Sequence, residues 1–323
     1  MKLIKRFLTL AATVALGGEM AQALPVGDNA EIFVTGDVGA RADSNIFLTS
    51  RKTSDTIVEA TPGLELSFGK NSATTGSLTA AEDFSFYTTH TNLNSSLANT
   101  ALNTNYQDGK TKLGIRASYS EVNQNTVDIH NADELVRRNL THLGGTGEIA
   151  LSLKTSMEAG MQYDNTDYRK TGYSDLTTFW IPMNFYYELT PKVDVGFGYQ
   201  YRSNWQQIGA DSQDHFFHFS SRGEFTPKLS GSVNIGVTKR HFDSSPKIAG
   251  VGRNESLLGI DSNLTYAVTP KVNAQLGVSN DFGANAFGQQ QKNFSINGLV
   301  QLKFAPELQA TAGVSYRAID YFT

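Results

Sequence analysis

The feature that most constrains this chain is a set of long segments in which apolar and polar residues alternate without a break. After Pro191 the apolar positions are Val193, Val195, Phe197, Tyr199 and Tyr201, interleaved with Asp194, Gly196, Gly198, Gln200 and Arg202. After Pro270 come Val272, Ala274, Leu276 and Val278 against Asn273, Gln275, Gly277 and Ser279; after Pro306, Leu308, Ala310, Ala312, Val314 and Tyr316 against Gln309, Thr311, Gly313, Ser315 and Arg317. A period of two sustained over about ten residues is the strand period and excludes an amphipathic helix. About eleven residues at ~3.3 Å each, tilted ~45°, cover about 25 Å, the apolar band of an outer-membrane barrel. A secreted β-sandwich, the competing architecture, has shorter strands with turn signals every 8–12 residues.

Tight turns recur here roughly every forty residues. Leu189-Thr190-Pro191-Lys192-Val193 returns as Phe225-Thr226-Pro227-Lys228-Leu229, as Val268-Thr269-Pro270-Lys271-Val272, and more loosely as Phe304-Ala305-Pro306-Glu307-Leu308. Upstream the same slot is filled without proline around Lys70, Lys110 and Lys154. Proline fixes φ at a tight turn and cannot donate to a ladder, so it marks hairpin tips. A propeller blade of this length would need four short strands and Gly-His and Trp-Asp marks, which are absent. The opposite strand ends meet in longer polar stretches at 41–56, 88–96, 123–139, 165–174, 206–213, 243–254 and 283–291. Short turns at one rim and long loops at the other are how up-and-down membrane barrels are built.

The expected fold is all-β: an antiparallel up-and-down transmembrane β-barrel of about 16 strands, of which about 15 are countable from Glu31 onward. Single-chain bacterial barrels close with an even number. The chain is therefore expected to be C-terminally truncated by at least one strand. One stretch resists the pattern. Glu82 falls in phase with Leu78, Ala80, Phe84 and Phe86, so a bulge or register slip is expected there.

Composition agrees with a barrel. Charged residues make up 18% of the chain against 11% aromatics and 29 glycines, with a net charge of −4. A deficit of charge beside many aromatics and glycines is unusual for a cytosolic enzyme. No basic patch is present to neutralise phosphates, which excludes a nucleic-acid partner. The absence of cysteine excludes a disulfide scaffold and thiol chemistry. At the N-terminus, Lys2, Lys5 and Arg6 precede an apolar run from Phe7 to Leu16 and then Ala21-Gln22-Ala23, a signal-peptidase pattern. Residues 1–23 are expected to be a signal peptide and 24–323 the barrel. A mean hydropathy of −0.30 does not oppose a membrane location, because only every second strand residue meets lipid.

The charges fall in order. Arg116, Glu158, Asp164, Asp194, Arg202, Arg222, Glu224, Lys303 and Arg317 occupy the polar phase of their strands. They are expected to face the lumen and line a pore, since a basic residue on the lipid face near the midplane costs about 2–4 kcal/mol. The alternative is a sealed interior of ion pairs. Loop 123–139, carrying Asp128, Asp133, Glu134, Arg137 and Arg138, is the candidate constriction. Phe179, Trp180, Tyr186, Tyr187, Trp205, Phe216, Phe217 and Phe242 lie near strand ends, where rings favour the headgroup level.

No catalytic constellation emerges. His215 and His218 are three apart on a strand and point to opposite faces, so they cannot share a metal. His130 with Asp128, Asp133 and Glu134 is a weak loop grouping, and Gly144-Gly145-Thr146-Gly147 lacks the Lys-Ser/Thr pair and helix of a phosphate loop. No catalytic residue, cofactor or metal is expected.

The segment Gly39-Ala40-Arg41-Ala42-Asp43-Ser44-Asn45-Ile46-Phe47 resembles the opening of the beta-barrel porin 2 family of outer-membrane proteins. Thr61-Pro62-Gly63-Leu64, Tyr163-Asp164-Asn165-Thr166-Asp167-Tyr168 and the Thr-Pro-Lys tips are similar to further motifs of that family. The resemblance implies a location in the cell outer membrane and a pore; some members occur beside exosortase and exopolysaccharide systems. Two functions follow: a porin passing small hydrophilic solutes or serving polysaccharide export, or a non-conducting structural barrel whose loops bind a polymer or a partner protein. The expected partners are outer-membrane lipid, the barrel-assembly machinery and, on the family likeness, polysaccharide-export components.

Overall fold

The computed structural model describes residues 4–16, 22–123, 125, 129, 134–243, 254–305 and 308–321. Within them the chain forms one antiparallel sheet of 17 strands. The strands are β1 (Ile4–Leu16), β2 (Gln22–Val26), β3 (Ala30–Asp43), β4 (Asp55–Phe68), β5 (Thr74–Tyr87), β6 (Ser95–Gln107), β7 (Thr111–Asn123), β8 (Arg137–Ala150) and β9 (Thr155–Tyr168). They continue as β10 (Leu176–Thr190), β11 (Val193–Gln206), β12 (Ser212–Thr226), β13 (Leu229–Phe242), β14 (Asn254–Thr269), β15 (Val272–Ala284), β16 (Gln290–Ala305) and β17 (Leu308–Tyr321). From β3 to β17 every strand pairs with its predecessor, so the sheet is an up-and-down barrel wall of fifteen strands, as the alternation predicts. A sixteenth full-length strand, β1, lies along β17 with Ile4 opposite Asp320 and Leu16 opposite Leu308. The short β2 covers the first part of β3. β1 and part of β2 thus fall in the stretch expected to be the export signal.

Alternation decides which face each residue takes. Val34, Val38, Leu64, Leu78, Ile115, Leu143, Met161, Phe197, Phe217, Phe219, Ile235, Leu258, Leu276, Val300 and Val314 are exposed on the outer face. In register they pair outer residue to outer residue, as with Phe197 opposite Phe219 and Phe219 opposite Ile235. Cross-strand aromatic and β-branched pairs of this kind supply roughly 0.2–1 kcal/mol each.

The Thr-Pro-Lys tips share one local device. Register shifts fall at Glu188/Thr190, Glu224/Thr226 and Ala267/Thr269, immediately before the prolines. In each, the threonine hydroxyl accepts from the lysine backbone N–H two residues on, at 3.4, 3.3 and 3.3 Å. The bulge leaves Leu189, Phe225 or Val268 without a rung partner, and the threonine oxygen satisfies an amide left over by the turn. The fourth tip, with Pro306 and Glu307, lies outside the described residues.

Glu82 corrects one expectation. The β4–β5 register is the same on both sides of it, with Ala60 opposite Phe84 and Gly63 opposite Ala81, so neither bulge nor slip occurs. Two rungs are missing because Pro62, which would face Glu82, has no N–H to donate. Glu82 therefore stays on the outer face, where the Ser96 hydroxyl donates to its carboxylate.

Candidate functional site: the lumen wall and the loop cap

The residues expected to line the lumen take the inner face. Arg222 on β12 is the centre of one cluster. Its guanidinium donates to Asp194 of β11 at 3.0 Å, to Glu158 of β9 at 3.1 Å and to Glu148 of β8, and it stacks on the Tyr186 ring at 3.8 Å. Glu148 also takes Lys112 of β7 at 3.3 Å. In a regular barrel of about sixteen strands, strands four apart stand roughly 24 Å from each other, farther than two side chains reach. Contact from β12 to β8 therefore means that the wall curls sharply inward there.

A second cluster lies nearer the loop rim. Arg202, Asp214 and Arg240 are opposite one another on β11, β12 and β13. Asp214 accepts from Arg202 Nε at 2.6 Å and from Arg240 Nε and Nη2 at 2.6 and 2.7 Å. Arg202 reaches on to both carboxylate oxygens of Asp281 on β15, at 2.5 and 2.9 Å. Arg240 donates to Gln290 Oε1 at 2.5 Å, and Gln290 donates in turn to the Ala210 carbonyl at 3.0 Å. Trp180 lies against Arg202 and Phe282 against Arg240. Arg202, Asp214 and Arg240 are 5%, 2% and 2% exposed, so the cluster is a buried set of neutralised pairs, at the edge of a cavity of about 420 Å³ also lined by Gln200, Phe216 and Asp261.

The rest of the expected set is placed as follows. Asp164 faces inward against His142 at 2.7 Å. Glu224 pairs with Lys192 at the turn rim. Arg317 donates to Asn293 at 3.3 Å. Arg116 on β7 and Lys303 on β16 form no ion pair among the described residues. His215 and His218 point to opposite faces: His215 meets Tyr199 on the outside at 2.8 Å, and His218 meets Asn184 on the inside at 3.0 Å.

The aromatic expectation holds for half its members. Phe179, Tyr187, Trp205 and Phe217 are in the outer phase, but Trp180, Tyr186, Phe216 and Phe242 are not. They have the opposite parity, and three find partners inside: arginines over Trp180 and Tyr186, and a glycine beneath Phe216. A Cβ on Gly259 would stand 2.5 Å from the Phe216 ring, so only glycine leaves that ring room against the wall.

At the loop rim the connections pack on each other. Ile129 and Val136 from loop 124–136, Tyr173 from 169–175 and Ala286 from 285–289 form one buried cluster, with Tyr168 and Phe287 against it. Ile46, Ile57 and Tyr87 form a second, with Phe47, Leu93 and Leu135 packed on it. Asn125 ties loop 124–136 to the second cluster by donating to the Phe47 carbonyl at 3.1 Å. Its Oδ1 accepts from Val136 N at 3.2 Å. Loops 207–211 and 285–289 touch backbone to backbone: Gly209 and Gly288 have φ of +119° and +76°, and a Cβ on either would strike the other loop. The described residues of loop 124–136 thus touch both the β3–β6 side of the mouth, through Asn125 and Leu135, and the β9–β16 side, through Ile129 and Val136. Of the constriction candidates, Glu134 pairs with Lys170, Arg137 with Glu121 at 2.5 Å, and Arg138 is also partnered. Asp128, Asp133 and His130 lie outside the described residues.

A further anchor holds loop 88–94. Asp55, at the loop-rim end of β4, accepts from Thr88 Oγ1, Thr89 N and His90 N at 2.9, 3.1 and 2.8 Å, and contacts His90 Nδ1 at 2.8 Å. These contacts fix the start of loop 88–94 to the end of β4.

Known structures share this architecture. The fold is that of outer-membrane β-barrels. The ferric-catecholate import receptor Fiu from E. coli K12 superimposes with a TM-score of 0.51 at 7% identity, over 94% of this chain and 62% of that one. A bacterial polysaccharide outer membrane secretin aligns over 99% of both chains at 8% identity, with a TM-score of 0.44. No family model and no curated protein matches the sequence. Likeness at such identity speaks to fold alone.

Sequence reasoning missed Asp214, Arg240, Asp281 and Gln290. The signal for the first two was present: both sit in the polar phase beside Arg202 once the register is known. Asp281 and Gln290 carried none, because the wall's curvature brings them in.

Proposed function

We propose that this barrel is a passive diffusion channel for small hydrophilic solutes, selecting by size and lumen charge rather than by chemistry. The observation that carries the reading is surface area. The chain exposes 18964 Å², whereas a compact protein of its 35.2 kDa exposes about 13,000 Å². A wall one residue thick, wetted on its inner face and greasy on its outer face, accounts for the excess. The polar inner face supports aqueous passage, and the resemblance to the beta-barrel porin 2 family agrees with it. Residues 1–23 would serve as the export signal that delivers the chain to the outer membrane. Polysaccharide export is the wider version of the same reading.

The loop cap favours a second reading: a non-conducting barrel whose loops bind a polymer or a partner protein. Reconstitution into planar bilayers separates the two. Stepwise conductance is expected for the channel; persistent silence from correctly folded protein refutes it and leaves the scaffold.

A further inference from the structure

We infer that the channel is cation-selective, and that the β3–β5 side of the lumen sets the selectivity. This rests on the channel reading and specifies its substrate class. Seven carboxylates take the inner phase on these three strands: Glu31, Asp37, Asp43, Asp55, Glu59, Glu65 and Asp83. Asp55 is spent on holding loop 88–94. The strands carry one inward base, Arg41, which is held by Asp43 at 3.0 Å and Glu59 at 2.9 Å. Glu31 takes Lys70 from the neighbouring turn at 3.2 Å.

Asp37, Glu65 and Asp83 have no cation within ion-pair distance among the described residues; Asp83 accepts only from the Asn99 amide, at 2.5 Å. Register lines them up. Asp37 is opposite Thr61, and the β4–β5 register brings Asp83 to the other side of the same threonine, about two strand spacings or ~10 Å away. Glu65 lies four residues from Thr61 along β4, about 13 Å toward the turn rim. A cavity of about 550 Å³ opens above this row, lined by Asp37, Arg41, Asp43, Glu59 and Asp83. A solute entering on this side meets carboxylates from the loop rim to below mid-wall.

The arginine clusters of β11–β13 offer little compensating field. Arg222 is shared by three carboxylates, and Arg202 and Arg240 are consumed by Asp214 and Asp281. Compact neutral clusters have short-ranged fields, whereas carboxylates ~10–13 Å apart, near the Debye length, sum along a narrow water path. Arg116 on β7 is the main opposing charge at mid-wall, with Lys303 and Arg317 the inward bases on β16 and β17.

The test is the zero-current potential of the full protein in planar bilayers across a tenfold KCl gradient. A local potential of only about 0.5–1 kT, which enriches cations and depletes anions alike, implies a cation-to-anion permeability ratio of roughly 3–7. Asp37→Asn with Glu65→Gln and Asp83→Asn is expected to bring the ratio close to unity, and Arg116→Gln to raise it. Asp164→Asn, on the opposite wall beside His142, is expected to change it much less. Anion preference or no preference in the parent channel overturns the inference while leaving the channel standing, as does an unchanged ratio in the triple variant. Absence of any conductance overturns the channel reading instead. Heat-shifted gel mobility confirms that each variant has folded.

Discussion

Replacing Asp214 tests the tertiary argument most sharply. Its carboxylate is 2% exposed and takes three guanidinium hydrogen bonds of 2.6–2.7 Å from Arg202 and Arg240, with a fourth from Asn204 Nδ2 at 3.2 Å. Asp214→Ala leaves two buried guanidinium groups facing each other. Arg202 keeps Asp281, but Arg240 keeps only neutral acceptors, Gln290 and the Gly283 carbonyl. Breaking a buried pair in this way costs about 3–5 kcal/mol, because the stranded charge cannot be resolvated in place. Asp214→Asn retains one acceptor oxygen and should lose somewhat less. The assay is equilibrium unfolding in guanidinium chloride in detergent micelles, followed by tryptophan emission, since Trp180 sits against Arg202. Removing the whole triad, Arg202→Met with Asp214→Leu and Arg240→Met, should recover most of the loss, because no unpaired charge remains. If Asp214→Ala costs less than about 1 kcal/mol, or if the triple variant is no better than the single one, the cluster is solvated and its burial is wrong.

Three further outcomes are expected. Asp55 accepts from Thr88, Thr89 and His90, so Asp55→Asn should loosen loop 88–94, read as faster amide hydrogen exchange at Thr89 and His90; unchanged exchange would show that the loop is held without this carboxylate. Glu82→Leu should stabilise the barrel by on the order of 1 kcal/mol in the same unfolding assay, since it takes a carboxylate off the outer face; a loss would mean that the Ser96 contact matters more than lipid exposure. Tyr173→Ala with Phe287→Ala removes a tilted ring contact at 5.3 Å in the cap, and should quicken protease cutting at loops 169–175 and 285–289 without lowering barrel stability; unchanged cleavage would show that the loops are held by backbone contacts alone.

Alternation determined much by itself. It settled that the chain is all-β, how many strands follow Glu31, where the Thr-Pro-Lys hairpins turn, and which charges face inward, because a side chain's face depends only on its parity along a strand. It misled where a residue's chemistry argued against its phase: Glu82 stays outside in an unbroken register, while Trp180, Tyr186, Phe216 and Phe242 turn inward. Parity prevailed in each case, since flipping one residue would require a bulge that displaces every rung beyond it. What only the tertiary structure decided is who meets whom across the lumen. Arg202 with Asp281, Arg222 with Glu148, and Tyr173 with Ala286 join strands or loops far apart in the sheet, brought together by how tightly the wall curls. Curvature is a property of the sheet as a whole, summed over many small twists, and no local pattern of residues encodes it.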